Sequence, residues 1–220
     1  MTKKGKIKNI LSLLDIHYPI DTKCYLDYSK PYELLIATIL SAQCTDDRVN
    51  LVTKDLFQKY PSLESFAKAY QIELEKDVHS TGFFRQKAKN IILSANRLIN
   101  EHNGEVPSDI DILTSLPGVG RKTANVVRGH IFGIHCIVVD THVKRVSNKF
   151  GLVSSDDPEK IEFELMRILP KRHWIRYNAQ VIAHGRAICK AQKPACDVCF
   201  LSHNCSYALS HAIIHTKRTK

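Results

Sequence analysis

Four cysteines fall within seventeen residues near the C-terminal end, in the pattern Cys189-x6-Cys196-x2-Cys199-x5-Cys205. Thiols this dense pair as two disulfides, hold a tetrahedral zinc ion, or cage an iron–sulfur cluster. Zinc modules are usually built from paired short C-x2-4-C knuckles. Only one C-x2-C occurs here, so the spacing leans toward iron–sulfur without deciding the matter. A second feature is LPGVGRKTANVV at 116–127. Gly118 and Gly120 permit a tight turn with positive φ. They also leave peptide N–H groups bare at the start of the following helix, where the dipole favours an anion such as phosphate. Lys122 follows at that helix start. This is no Walker A loop, which needs a glycine directly before the lysine, where Arg121 stands. Taken alone, Lys122 reads as a phosphate contact, and Asp140 in VDTHV at 139–143 reads as a helix N-cap.

The composition narrows the setting of this chemistry. The chain has 220 residues, 44% hydrophobic and 25% charged, the balance of a globular protein able to bury one core or two. Lys and Arg number 32 against 22 Asp and Glu, a net charge of +10 that favours a polyanionic partner, most simply nucleic acid. Seven cysteines is an odd count, with Cys24, Cys44 and Cys136 scattered. The N-terminal stretch is broken by Asp15 and shows no small-residue cleavage site, so no secretory signal is read. LLIATIL at 34–40 is too short to span a bilayer. The expectation is a soluble protein of a reducing compartment, with metal preferred to disulfides at the cysteine cluster.

The elements that must position these residues are helical. Ile7, Ile10, Leu11 and Leu14 recur on one face of a first helix. Pro31 opens PYELLIATILSA, and Thr45 caps a helix carrying Val49, Val52 and Leu56. RQKAKNIILSANRLINEHNG sets Ala88, Ile91, Ile92, Ala95, Leu98 and Ile99 on one side and ends at Asn103-Gly104. Ser108 is read as the cap of a short helix. Asp157-Pro158 begins another, with Ile161, Leu165, Ile168 and Leu169 inward, and one more runs from about Tyr177 toward Cys189. CIVV at 136–139 is the one strand candidate. The sum is an all-α protein of roughly ten helices. The basic ends, KKGK at 3–6 and HTKRTK at 215–220, read as fraying solubility tails.

Four segments in order resemble one family. LPGVGRKTANVV looks like the helix–hairpin–helix of the endonuclease III family of DNA glycosylases. Val139-Asp140-Thr141-His142-Val143 resembles its catalytic aspartate segment. The cysteine spacing matches its [4Fe-4S] loop. Leu40-Ser41-Ala42-Gln43-Cys44-Thr45-Asp46 resembles the segment that fills the hole left by an extruded nucleotide. The similarity spans roughly residues 5 to 207.

The resemblance implies two helical lobes flanking a DNA-binding cleft. A six-helix barrel would occupy 24–133, with the helix–hairpin–helix at about 110–131, and residues 1–23 with 134–220 would form the iron–sulfur lobe. It implies a bifunctional N-glycosylase and abasic-site lyase of base-excision repair, removing oxidised pyrimidines and cleaving 3′ to the abasic site by β-elimination. Lys122 would be the nucleophile, partly buried and kept neutral by the helix dipole. Asp140 would be its electrostatic or base partner. Cys189, Cys196, Cys199 and Cys205 would ligate a [4Fe-4S] cluster. Gln43 would fill the vacated space and Phe83, after Gly82, would act as an apolar wedge, although the family more often has an aliphatic residue there. Gly118 and Gly120 would meet the DNA backbone, as would Lys190 and Lys193 on the loop between the first two cluster cysteines. His142 and the segment AHGR at 183–186 are assigned to packing. The partner is double-stranded DNA carrying damaged bases or abasic sites, the state a monomer without membrane association, and the place a bacterial cytoplasm at the nucleoid, with an organelle left open. Two rivals are weighed. An adenine-mismatch glycosylase would carry glutamate near Ala37 and lack Lys122, and a non-catalytic DNA-binding module would need neither Lys122 nor Asp140.

Overall fold

The computed structural model describes residues 2–19 and 24–217, and among these it is all-helical with no strand. Contacts divide the chain into two compact units, Cys24–Ile134 and Met1–Lys23 together with His135–Lys220.

The second unit in space begins the chain. Helix α1 (Lys3–His17) buries Ile7, Ile10, Leu11 and Leu14, the face expected from the sequence. The KKGK stretch does not fray. Thr2 caps the helix by accepting from Gly5 N at 3.2 Å, and Lys6 Nζ donates to Ser206 Oγ at 2.8 Å. At the other end of the chain, residues 218–220 of the basic tail lie outside the described residues.

The Cys24–Ile134 unit is built around α2 (Pro31–Leu40), in which every residue from Glu33 to Leu40 is buried. A helix apolar on all sides belongs at the centre of a core. Its one buried acid, Glu33, accepts from Ser29 N and Lys30 N, satisfying donors at the helix entrance. Against it pack α3 (Asp46–Lys59), α6 (Phe84–His102) and α8 (Arg121–Phe132), while α4 (Leu63–Ala67) and α5 (Gln71–Asp77) pack on α6 and α7 (Ile110–Ser115) on α8. Thr45 caps α3 as expected. The cap of α7 is Asp109, not Ser108, because a carboxylate there accepts from both Asp111 N and Ile112 N.

The other unit continues with α9 (Thr141–Phe150), α10 (Pro158–Ile168), α11 (Trp174–Ala187) and α12 (Ser206–Lys217). Val143, Val146, Phe150, Ile161, Leu165 and Tyr177 share one core with the buried face of α1. CIVV at 136–139 forms no strand. It runs irregularly into α9, with Cys136 and Ile137 buried. No helix among the described residues is long and apolar enough to cross a membrane.

Candidate catalytic and DNA-binding site

The loop from Leu116 to Gly120 joins α7 to α8. Gly118 takes φ +79°, and a Cβ there would stand 2.6 Å from Asn90 Nδ2, so both backbone and space require glycine. Gly120 departs from the sequence expectation. Its φ is −90°, because it is the N-cap of α8 and a cap residue is extended. Ser94 Oγ donates to Pro117 O at 2.8 Å, and Arg128 Nε donates to Ser108 O at 3.0 Å, which fastens the hairpin from both sides. Lys122 occupies the first turn of α8. It is exposed rather than partly buried, since Ala124, Asn125 and Val127 form the inward face of the helix.

Asp140 belongs to the other unit. Burial of Cys136 and Ile137 and a 2.8 Å bond from Asn178 Nδ2 to Val138 O fix the chain that delivers it. Its Oδ1 accepts from Val143 N at 2.7 Å as the cap of α9, and its Oδ2 lies 3.3 Å from His142 Nδ1. The side chain keeps 12% of its exposure. Both oxygens are therefore oriented while the group still meets solvent. His142 packs between helices, as expected: a Cβ on Gly185 would stand 2.8 Å from His142 Cδ2, so that glycine is what lets α11 approach α9. Its contact with Asp140 lies outside the sequence expectation, since a histidine two residues past a cap carries no pattern of its own.

Gln43 and Phe83 lie in the same unit as Lys122, each at an exposed tip. Gln43 has φ +54° in the turn after α2; Phe83 has φ +47° at the start of α6 and is 66% exposed. Lys87 of α6 links the two loops, with Nζ donating to Leu40 O and to Thr81 O at 2.8 Å each. Sequence reasoning passed over Lys87 because a lysine in a helix reads as solvent-facing. The signal was its spacing, since Lys87, Ile91, Ser94 and Leu98 form one buried stripe.

Cys189, Cys196, Cys199 and Cys205 are free thiols that line one small cavity with Lys149 and His184. Among the described residues no group of three or more His, Cys, Asp or Glu side chains is placed to hold a metal ion, and the four sulfurs share only the lining of this cavity. Lys190 and Lys193 are exposed on the loop between the first two of these cysteines. That loop closes through Ala195 N to Ile188 O at 3.1 Å and is held by Arg145 Nη2 on Cys189 O at 3.1 Å.

The family model of HhH-GPD superfamily base excision DNA repair proteins matches residues 36–171. Endonuclease III of Synechocystis sp. is 50% identical over 208 residues, covering 94% of each chain. The chain belongs to the endonuclease III family. Endonuclease III of Escherichia coli is 40% identical over 207 residues, 93% of this chain and 96% of its own. A solved structure of a trapped endonuclease III–DNA covalent intermediate, an estranged-adenine complex, matches with a TM-score of 0.89 at 46% identity, covering 96% of this chain and 100% of that one. A thermostable thymine-DNA glycosylase matches with a TM-score of 0.82 at 26% identity, over 94% of this chain and 98% of its own. The protein is thus a DNA glycosylase and abasic-site lyase of base-excision repair with the all-helical endonuclease III fold.

The model for the iron–sulfur binding domain of endonuclease III matches residues 189–205, the span bounded by the first and last clustered cysteines. A [4Fe-4S] cluster is the cofactor of this chain. The donors fit it. A cubane takes one thiolate per iron, and four thiols line a single cavity. Burial pushes the Cys189, Cys196 and Cys199 thiols up, and the Cys205 sulfur beside them acts in the same direction. Crowded thiols of this kind are what a cationic iron core relieves.

Proposed function

We propose that this protein removes oxidised pyrimidines from duplex DNA as an N-glycosylase, then cleaves the strand 3′ to the abasic site by β-elimination, acting as a monomer. The observation that carries the reading is Lys122, an exposed primary amine on the first turn of α8 directly behind the Gly118–Gly120 turn. The covalent intermediate trapped for a 46% identical endonuclease III supports it.

Lys122 Nζ attacks C1′ of the damaged nucleotide as the base leaves. The C1′–N bond breaks with its electron pair on the departing base, which takes a proton that Nζ gives up; O4′ takes a proton from solvent as the ring opens, and a protonated Schiff base joins Nζ to C1′. The iminium draws electrons from C2′. Loss of a C2′ proton then breaks the C3′–O bond, with phosphate as the leaving group. Asp140 stabilises the oxocarbenium-like sugar and accepts a proton from the amine. Its anchoring by Val143 N and His142 pre-orients it for that role.

In the same reading the nucleotide leaves the stack before it reacts. Gln43 offers its amide to the orphaned base and Phe83 wedges the gap. The Gly118 and Gly120 peptides meet the backbone, and Lys190 and Lys193 meet phosphates. Cys189, Cys196, Cys199 and Cys205 would hold the cluster, whose bond energy when bound folds a loop too small to have its own core.

Borohydride trapping on a duplex with one oxidised pyrimidine tests the reading. Wild type is expected to give a covalent protein–DNA band and Lys122→Gln none, with binding of damaged duplex retained. A band from Lys122→Gln would remove Lys122 from its role. Base release from wild type without any band would replace the lyase mechanism by direct hydrolysis.

A further inference from the structure

Two exposed tips of the Cys24–Ile134 unit share one internal anchor. Gln43, Phe83 and Asn103 are the non-glycine residues with positive φ among those described. Asn103 is an ordinary left-handed C-cap of α6, in a role asparagine fills without special support. Glutamine and phenylalanine rarely adopt this conformation, and it persists only where surroundings impose it.

Lys87 ties together the two segments that lead into these tips. It is 4% exposed, and its Nζ donates 2.8 Å bonds to Leu40 O and Thr81 O. Leu40 closes α2, where terminal carbonyls lack helical partners, and Thr81 closes the 3-10 turn His79–Thr81. Gln43 stands three residues after the first acceptor and Phe83 two after the second. One amine thus sets the separation of the two chain ends from which the tips spring. The two bonds also satisfy carbonyls that an aliphatic side chain at this position would leave without the Lys87 donor. The position lies on the buried stripe of α6 with Ile91 and Leu98, where an aliphatic side chain avoids the cost of burying an ammonium. Burial accordingly lowers the Lys87 pKa.

We propose that Lys87 is a positioning residue for nucleotide extrusion, tying the Gln43 and Phe83 tips into one rigid wedge. The inference rests on the reading of those tips given under the proposed function.

The test uses holoenzyme with Lys87→Met, which keeps volume and removes the donors, and the Gln43→Ala/Phe83→Ala pair. Three quantities are read: single-turnover base release from a duplex carrying an oxidised pyrimidine, cleavage of an abasic site in single-stranded DNA, and the fluorescence of 2-aminopurine opposite the lesion. Lys87→Met is expected to slow duplex base release by about tenfold to a hundredfold, the scale of a misplaced positioning group. It should shift the 2-aminopurine signal and leave single-strand cleavage unchanged. In the Gln43→Ala/Phe83→Ala background it should add no further loss, because it acts through those tips. Equal losses on duplex and single strand, full additivity with the tip variants, or no change on duplex would each overturn the inference. If the Gln43→Ala/Phe83→Ala pair itself leaves the duplex rate and the 2-aminopurine signal at wild-type values, the tip reading has failed. If the tips matter and Lys87→Met does not, Lys87 alone is at fault. Should Lys87→Met not fold, Lys87→Gln, which keeps an N–H donor at shorter reach, carries the same comparisons.

Discussion

Asp140 has two jobs that a single substitution can separate. Its Oδ1 caps α9 through Val143 N, and the carboxylate charge is the part assigned to the sugar. Asparagine keeps a cap oxygen and loses the charge; alanine loses both. Asp140→Asn should therefore hold its melting temperature while the single-turnover rate falls by about a hundredfold to a thousandfold, the usual cost of one electrostatic group at a transition state. Asp140→Ala should match that loss of rate and also lose about 1 kcal/mol of cap energy, roughly 2–4 °C for a chain of this size. Thermal melts beside single-turnover assays read both effects. A normal rate in Asp140→Asn would leave Asp140 as a cap alone. The sequence made the cap legible, since aspartate before a helix does this most often. It did not reveal that His142 holds the second oxygen, because a histidine two residues on carries no pattern of its own.

At the scale of elements, the hairpin before α8 gives a graded prediction. Gly118→Ala meets both a positive φ and the Asn90 side chain, so it should cost about 1–3 kcal/mol and lower the melting temperature accordingly. Gly120→Ala has φ −90° and nothing within 4 Å of the new Cβ, so only a weaker N-cap is lost, under about 1 kcal/mol. Calorimetry that finds the two equal would contradict the account of the turn. Long amphipathic helices were readable in advance: α1, α3, α6 and α10 each show periodicity, a cap residue, or both. The short α4 and α5 were not, because five to seven residues hold too little of a 3.6-residue period; α7, of similar length, was read from the hydroxyl and acidic cap residues at its start. CIVV misled for a related reason. Four apolar residues say that a segment is buried, not how its backbone hydrogen bonds are met. Lys87 is the instructive miss, since its type argued for solvent and its register for the core, and register was right.

For the whole molecule, charge and cluster meet in the 189–205 segment. Cys199→Ser removes one of four sulfurs around the cavity and should cost the visible absorbance of the cluster together with soluble yield. A stable, colourless, active variant would contradict a structural role for the metal. The net charge of +10 makes a separate claim about DNA. Each lysine that neutralises a phosphate releases counterions, so the logarithm of affinity falls with the logarithm of salt by about 0.9 per contact. Lys190 and Lys193 are exposed on a loop closed at Ile188 and held by Arg145, a placement that suits fixed backbone contacts. Replacing both by glutamine should flatten the salt dependence of binding by about 1.8 in slope and weaken damaged and undamaged duplex to the same degree, because phosphate contacts carry no base information. Fluorescence anisotropy across a salt series on both duplexes measures this directly. An unchanged slope would make the two lysines part of the solvated charge only, and a loss confined to damaged duplex would mean that they act on the lesion rather than on the backbone.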